Sequence, residues 1–279
     1  MTDTTVARST LDVLLAGDGQ DAAFTAQVAA VMRRHLLVLR RNPALVADSL
    51  LGPVSLVLMF GYVFGGAIAG ADIAAYRDSL IAGALVLTAG TSLVIVAGDT
   101  ARDLRRGMTP RTLTMPVSRL AVLLGAALVQ LLASVILYAV MLGVGTLTGW
   151  RWHAGVVSAL GGLGLLVLFG FALTWLGIQL GLVIRDEQVI QQLASLILGG
   201  VLFSNAMVPV ETMPGVARAI AELNPFSAVV SALRVQFGSG ALPDGPWPLA
   251  HPILATVGWS VLLLLVFVPA TTRRLARQG

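Results

Sequence analysis

The chain has 279 residues, of which 57% are hydrophobic and only 11% charged, with a mean hydropathy of +0.87. Soluble domains carry about 25% charge, so a water-soluble globular fold is excluded. All 18 basic residues are arginine and cysteine is absent, which excludes a lysine-bearing phosphate loop, a thiol nucleophile, a thiolate metal site and a disulfide framework. A net charge of +4 leaves no nucleic-acid-binding patch.

Residues 1–23 are polar and rich in Ala, Thr and Asp. They are expected to form a disordered cytoplasmic tail, and lack the apolar stretch of a signal peptide. Val28–Arg41 reads as an interfacial helix. On a helical wheel Val31, Met32, His35 and Leu39 lie within about 60° of Val28, whereas Arg33, Arg34, Arg40 and Arg41 share the opposite face. Such a helix lies on the inner leaflet with its arginines toward phosphate and cytoplasm. The plainer reading is a positive flank ahead of the first span.

Charge inside hydrocarbon is costly, so long charge-free runs mark membrane spans. Six such runs occur: Ser49–Ala71, Ser79–Gly98, Leu120–Trp150, Trp152–Ile184, Gln188–Val210 and Gly245–Thr272; the next longest run is only 11 residues. The reading is an all-α integral membrane protein with six transmembrane helices, at about 49–69, 79–98, 120–146, 156–184, 189–208 and 252–271. Pro53 is expected to kink the first. With the N-terminus inside, 14 arginines fall on the cytoplasmic side and 4 outside, so both termini are expected in the cytoplasm of a plasma-membrane protein.

Between spans two and three, Asp99–Arg119 is the most charged stretch, and Pro110 and Pro116 forbid one continuous helix across it. Ala101–Arg106 reads as a short helix closed by Gly107. The segment either sets topology or docks a partner. Late in span five, Ser204 and Asn205 are the most polar pair at membrane depth, and interhelical hydrogen bonding is their simplest role, as it is for Gln130, Gln179, Gln191 and Gln192. Between spans five and six, Pro214–Leu223 and Phe226–Phe237, the latter ended by Gly238, read as short outer-face helices. Glycines four apart at Gly61/Gly65, Gly145/Gly149 and Gly177/Gly181 permit close helix approach.

No carboxylate or arginine sits in the middle of a span, which disfavours ion-coupled transport. His35, His153 and His251 occupy loop or interface positions, without metal spacing. A chain that moves something with neither a coupling-ion site nor a nucleotide site is passive or driven by a partner.

Several pieces in order are then informative: Arg40-Arg41-Asn42-Pro43, Pro53, Phe60-Gly61-Tyr62-Val63-Phe64-Gly65-Gly66, Asp103-Leu104-Arg105-Arg106-Gly107, Met115-Pro116-Val117-Ser118-Arg119, Pro209, Met213-Pro214, Asn224-Pro225-Phe226 and Ala232-Leu233-Arg234. Over about Phe24–Arg277 the chain resembles the ABC-2 type permeases, especially the daunorubicin/doxorubicin-resistance group. The resemblance implies a transmembrane domain over 24–279, an N-terminal connecting helix at Val28–Arg41, and a pair of permeases over two separate ATPase subunits that hold ATP and magnesium. This chain would itself bind no cofactor and catalyse no reaction. By the same resemblance Ala101–Pro116 is a coupling segment, with Arg102, Asp103, Arg105, Arg106, Gly107, Met115 and Pro116 meeting the ATPase. Arg111-Thr112-Leu113-Thr114 departs from the family's usual run there. The outer helices resemble re-entrant caps. The expected activity is export of an amphipathic drug, lipid or natural product, along a pathway for which Phe60, Phe64, Thr88, Ser92, Ser204 and Asn205 are candidates. A carrier working without an ATPase is the alternative, and a non-transporting scaffold a third.

Overall fold

The computed structural model describes residues 43–64, 73–105, 119–184, 186–208, 210, 213–240 and 246–277. All regular structure among them is helical. Helix α1 spans Pro43–Leu58 and continues as a π-helical turn over Met59–Val63. Then follow α2 (Ile73–Arg105), α3 (Arg119–Leu147), α4 (Val156–Val183), α5 (Glu187–Leu202), α6 (Gly215–Leu223), α7 (Pro225–Phe237), α8 (Trp247–Ala250) and α9 (Pro252–Arg277). Helices predominate because hydrocarbon offers backbone N–H and C=O groups no other partner than the segment itself.

Four helices are long and apolar enough to cross a membrane: α2, α3, α4 and α9. Helices α1 and α5 are apolar but shorter, and α6 and α7 form a bent pair that meets at 74° and qualifies as a span only when joined. Four to five candidate spans plus shorter apolar helices are therefore present among the described residues, against the six of the sequence reading. The fifth expected span contracts most: α5 stops at Leu202 after 16 residues, about 24 Å of helix. Pro53 lies inside α1, and the departure from α geometry comes six residues later, at Met59. The short helix expected at Ala101–Arg106 is not separate. The described part, to Arg105, is the last turn of a continuous 33-residue α2.

Helix α2 is the centre of the fold. Of its apolar window 83% is buried inside the protein, against 17% for α9, so α2 is walled by neighbours and α9 is left largely uncovered by the rest of this chain. It packs on α1, α3, α4, α5 and α7. Small residues make this possible. A Cβ at Gly177 would stand 2.8 Å from the Leu93 carbonyl oxygen, and one at Gly181 2.5 Å from that of Ala97. The Gly177/Gly181 pair thus sets the α2–α4 approach, as small residues four apart do in membrane helices. Gly61 and Gly145 instead meet side chains, of Leu80 and Ile81, and Gly149 takes a positive φ of 96° at the end of α3.

The short helices are delimited as their sequence dictates. Asn224 caps α7, its Oδ1 accepting from the Phe226 N–H at 2.9 Å, with Pro225 in the first helical position. Gly238 closes α7 in the left-handed conformation at φ 71°.

Candidate functional site

Two features stand out: a cleft along α2 and a polar knot at the far end of α5. The cleft, of about 520 Å³, lies between α1, α2 and α5. Pro53 closes it on one side. Leu87, Thr91, Val94 and Arg102 line it from α2, and Gln191, Ser195, Leu198 and Val201 from α5. From Leu87 to Arg102 it follows α2 for about 22 Å. Its wall is apolar with a few hydroxyl and amide groups, and Arg102 stands at one end. That arginine is exposed and holds Asp99 at 2.8 Å. Beside the cleft, α5 exposes Gln188, Gln191, Gln192 and Ser195. These positions recur three and four apart and so form one stripe.

The polar knot replaces the turn of helix that α5 lacks. After Leu202 the chain leaves helical geometry through residues 203–208. Its main-chain polar groups are met by side chains from other helices. The Asn205 N–H donates to Ser227 Oγ at 3.1 Å, and the Asn205 side-chain amide donates to Ser231 Oγ at 2.8 Å. Arg234 of α7 donates from Nη2 to the Asn205 carbonyl at 2.7 Å and, at 3.4 Å, to that of Ala206, while its Nε reaches the Ser79 carbonyl at 3.3 Å. Tyr76 donates to the Met207 carbonyl at 2.8 Å. Irregular backbone buried away from water needs partners for its N–H and C=O groups, and here α2 and α7 supply them. A second tie lies nearby: Arg77 donates to the Gly61 carbonyl at 2.9 Å and its guanidinium sits 4.1 Å from the Tyr62 ring centroid.

The residues singled out from sequence fall as follows. Ser204 and Asn205 lie inside the knot, both buried, with Ser204 Oγ donating to the Val201 carbonyl at 2.5 Å. Thr88 and Ser92 are buried on α2, their hydroxyls turned back onto the Ala84 and Thr88 carbonyls. It is the neighbouring Thr91 that faces the cleft. Phe60 is half-buried in the π-helical turn and Phe64 is exposed, with ring centroids 5.8 Å apart. Arg102 and Arg105 are exposed at the end of α2, and Asp103 belongs to the same helix. Arg33, Arg34, Arg40, Arg41, Arg106, Gly107, Met115 and Pro116 lie outside the described residues. Gln179 does bridge helices, accepting from Thr271 of α9 at 3.1 Å. The role of Arg234 in the knot is new: its signal in the sequence was the one charge in an otherwise uncharged helix.

Comparison with known proteins decides the family. The model of the ABC-2 type transporter membrane family matches residues 26–237. The chain belongs to that family. The daunorubicin resistance ABC transporter permease protein DrrB1 of Streptomyces coeruleorubidus is 29% identical over 273 residues, covering 97% of this chain and 94% of that protein. The probable doxorubicin resistance ABC transporter permease protein DrrC of Mycobacterium tuberculosis, in strains CDC 1551 and H37Rv, is 24% identical over 252 residues, covering 88% of each chain. The protein is thus the multi-pass permease subunit of an ABC-2 type exporter, and hydrolysis of ATP lies with a partner chain.

Proposed function

We propose that this ABC-2 permease carries an amphipathic drug, lipid or natural product outward along the α1–α2–α5 cleft, which forms half of a pathway completed by a second permease, a copy or a paralogue. The observation that carries this reading is the exposed amide stripe of α5 beside the cleft. Unpaired amides facing lipid tails are costly, so Gln188, Gln191, Gln192 and Ser195 belong against water, cargo or another protein. The cleft's mixture of apolar wall and hydroxyl groups, without a fixed charge between Leu87 and Gly98, suits an amphipathic molecule better than an ion. The names of the relatives, which are daunorubicin and doxorubicin resistance permeases, favour a planar amphipathic drug as the first cargo to try.

In this reading six helices cross the membrane: the four long ones, α1 with its π-helical turn, and α5 completed by the knotted segment. The bent α6–α7 pair caps the outer side, both termini are cytoplasmic, and residues 1–23 are a tail outside the transmembrane domain of 24–279. Arg102, Asp103 and Arg105, with Arg106, Gly107, Met115 and Pro116 beyond them, dock on the ATPase. Val28–Arg41, carrying Arg33, Arg34, Arg40 and Arg41, lies on the inner leaflet. The continuity of α2 from cleft to Arg105 supports this arrangement, because an unbroken helix moves as one lever. Inverted vesicles holding the permease and its ATPase are expected to accumulate a fluorescent anthracycline on ATP addition. Accumulation equal to that of vesicles lacking the permease refutes the drug assignment.

A further inference from the structure

We propose that a second groove, between the end of α3 and the start of α4, holds one anionic phospholipid, with part of one of its two acyl chains in the groove and its phosphate on Arg151. The groove measures about 260 Å³ and is separate from the cleft, a little below the roughly 300 Å³ at which small-molecule sites begin. Leu142, Val156, Leu160 and Leu163 line it together with Trp150 and Trp152. Its one hydroxyl, that of Thr146, is turned away onto the Gly143 carbonyl at 2.8 Å. A wall of this kind accepts hydrocarbon and offers water nothing.

The rim supplies the charge. Arg151 is exposed and tied to the main chain of two groove residues by Nη1, which donates to the Thr146 and Trp150 carbonyls, both at 2.8 Å. Those bonds fix the guanidinium beside groove residues and use one nitrogen, leaving Nη2 and Nε placed for a phosphate fork. Tryptophan and arginine at one level are how membrane proteins meet the headgroup region. The floor is rigid. Trp150 packs edge-on to Phe237 at 5.2 Å, and the His153 N–H donates to the Phe237 carbonyl at 2.8 Å, so the α3–α4 link is fastened to α7. A cation fixed at the mouth of an apolar slot fits an anionic phospholipid, whereas a zwitterionic one offers the arginine a phosphate already paired within its own headgroup.

The test is native mass spectrometry of the purified full chain, titrated with phosphatidylglycerol or phosphatidylcholine in neutral detergent. Wild type is expected to retain one phosphatidylglycerol with roughly tenfold preference over phosphatidylcholine. Arg151→Gln is expected to retain both lipids equally. Gly143 lines the groove and has nothing within 4 Å of an added Cβ, and the same open space surrounds Gly164, which lies outside the groove. Gly143→Leu is therefore expected to lose the lipid and Gly164→Leu to keep it, with both variants eluting as folded protein. A wild type that holds no lipid, an Arg151→Gln that keeps the preference, or equal retention by the two glycine variants would overturn the proposal.

Discussion

Replacing Gly181 with alanine tests the packing on which the fold depends. Its Cβ would stand 2.5 Å from the Ala97 carbonyl oxygen and 2.6 Å from Thr100 Cβ, whereas ordinary contact begins at 3.4 Å. The deficit at the carbonyl is 3.4 minus 2.5, or 0.9 Å. Both obstacles are fixed to the α2 backbone, so no side chain can swing aside and the helices must separate. Overpacking of this kind costs about 1–3 kcal/mol. Gly164, on the same helix with open space around it, is the matched control. Both substitutions gain the same helix propensity, up to about 1 kcal/mol, so it cancels in the comparison. The chain has no cysteine for a thiol-reactive dye, but Trp175 is buried on α4, and its intrinsic fluorescence reports unfolding in detergent. Gly181→Ala is expected to melt roughly 3–10 °C below Gly164→Ala. Equal melting temperatures would show that α2 and α4 do not meet at this glycine.

Arg234→Gln removes the only charged donor seen in the knot among the described residues and strands a buried Asn205 carbonyl. A loss of about 1.5–3 kcal/mol is expected in the same melt, with export falling further because the α5 end loses its anchor. A Ser195→Trp change, projecting into the cleft, should abolish export while leaving assembly with the ATPase intact, measured by co-purification. Reversing Arg105 and Arg106 to glutamate should weaken co-purification with the ATPase if the proposed docking segment is where the two chains meet. Wild-type recovery of the complex would remove that assignment.

Much of the fold was legible because hydrocarbon imposes one rule along a whole span. The absence of charge located every long helix among the described residues. Asn224 and Pro225 were legible as the stop of α6 and Gly238 as the end of α7, because such signals are local, whereas the role of Asn224 as the cap of α7 came only with the structure. The Gly177/Gly181 pair was visible as spacing, yet only packing could select it over Gly145/Gly149. Two features escaped for opposite reasons. Helix α2 runs past Gly98 because Ala101 and Leu104 still pack on neighbours, so the charges lie on a helix already held in place. Helix α5 stops early because Ser227, Ser231, Arg234 and Tyr76 supply hydrogen bonds from more than 20 residues away in sequence, which no local pattern records. The cleft was missed at Thr91 for the same reason: it depends on which face of α2 the other helices leave uncovered.

The central claim is that this chain transports only when an ATPase drives it. The decisive measurement is uptake of a fluorescent anthracycline into inverted vesicles containing the permease with its wild-type ATPase, with an ATPase whose phosphate-loop lysine is replaced, or with none. ATP-dependent uptake with the first alone is predicted. Uptake of equal size in vesicles that contain the permease and no ATPase would contradict it.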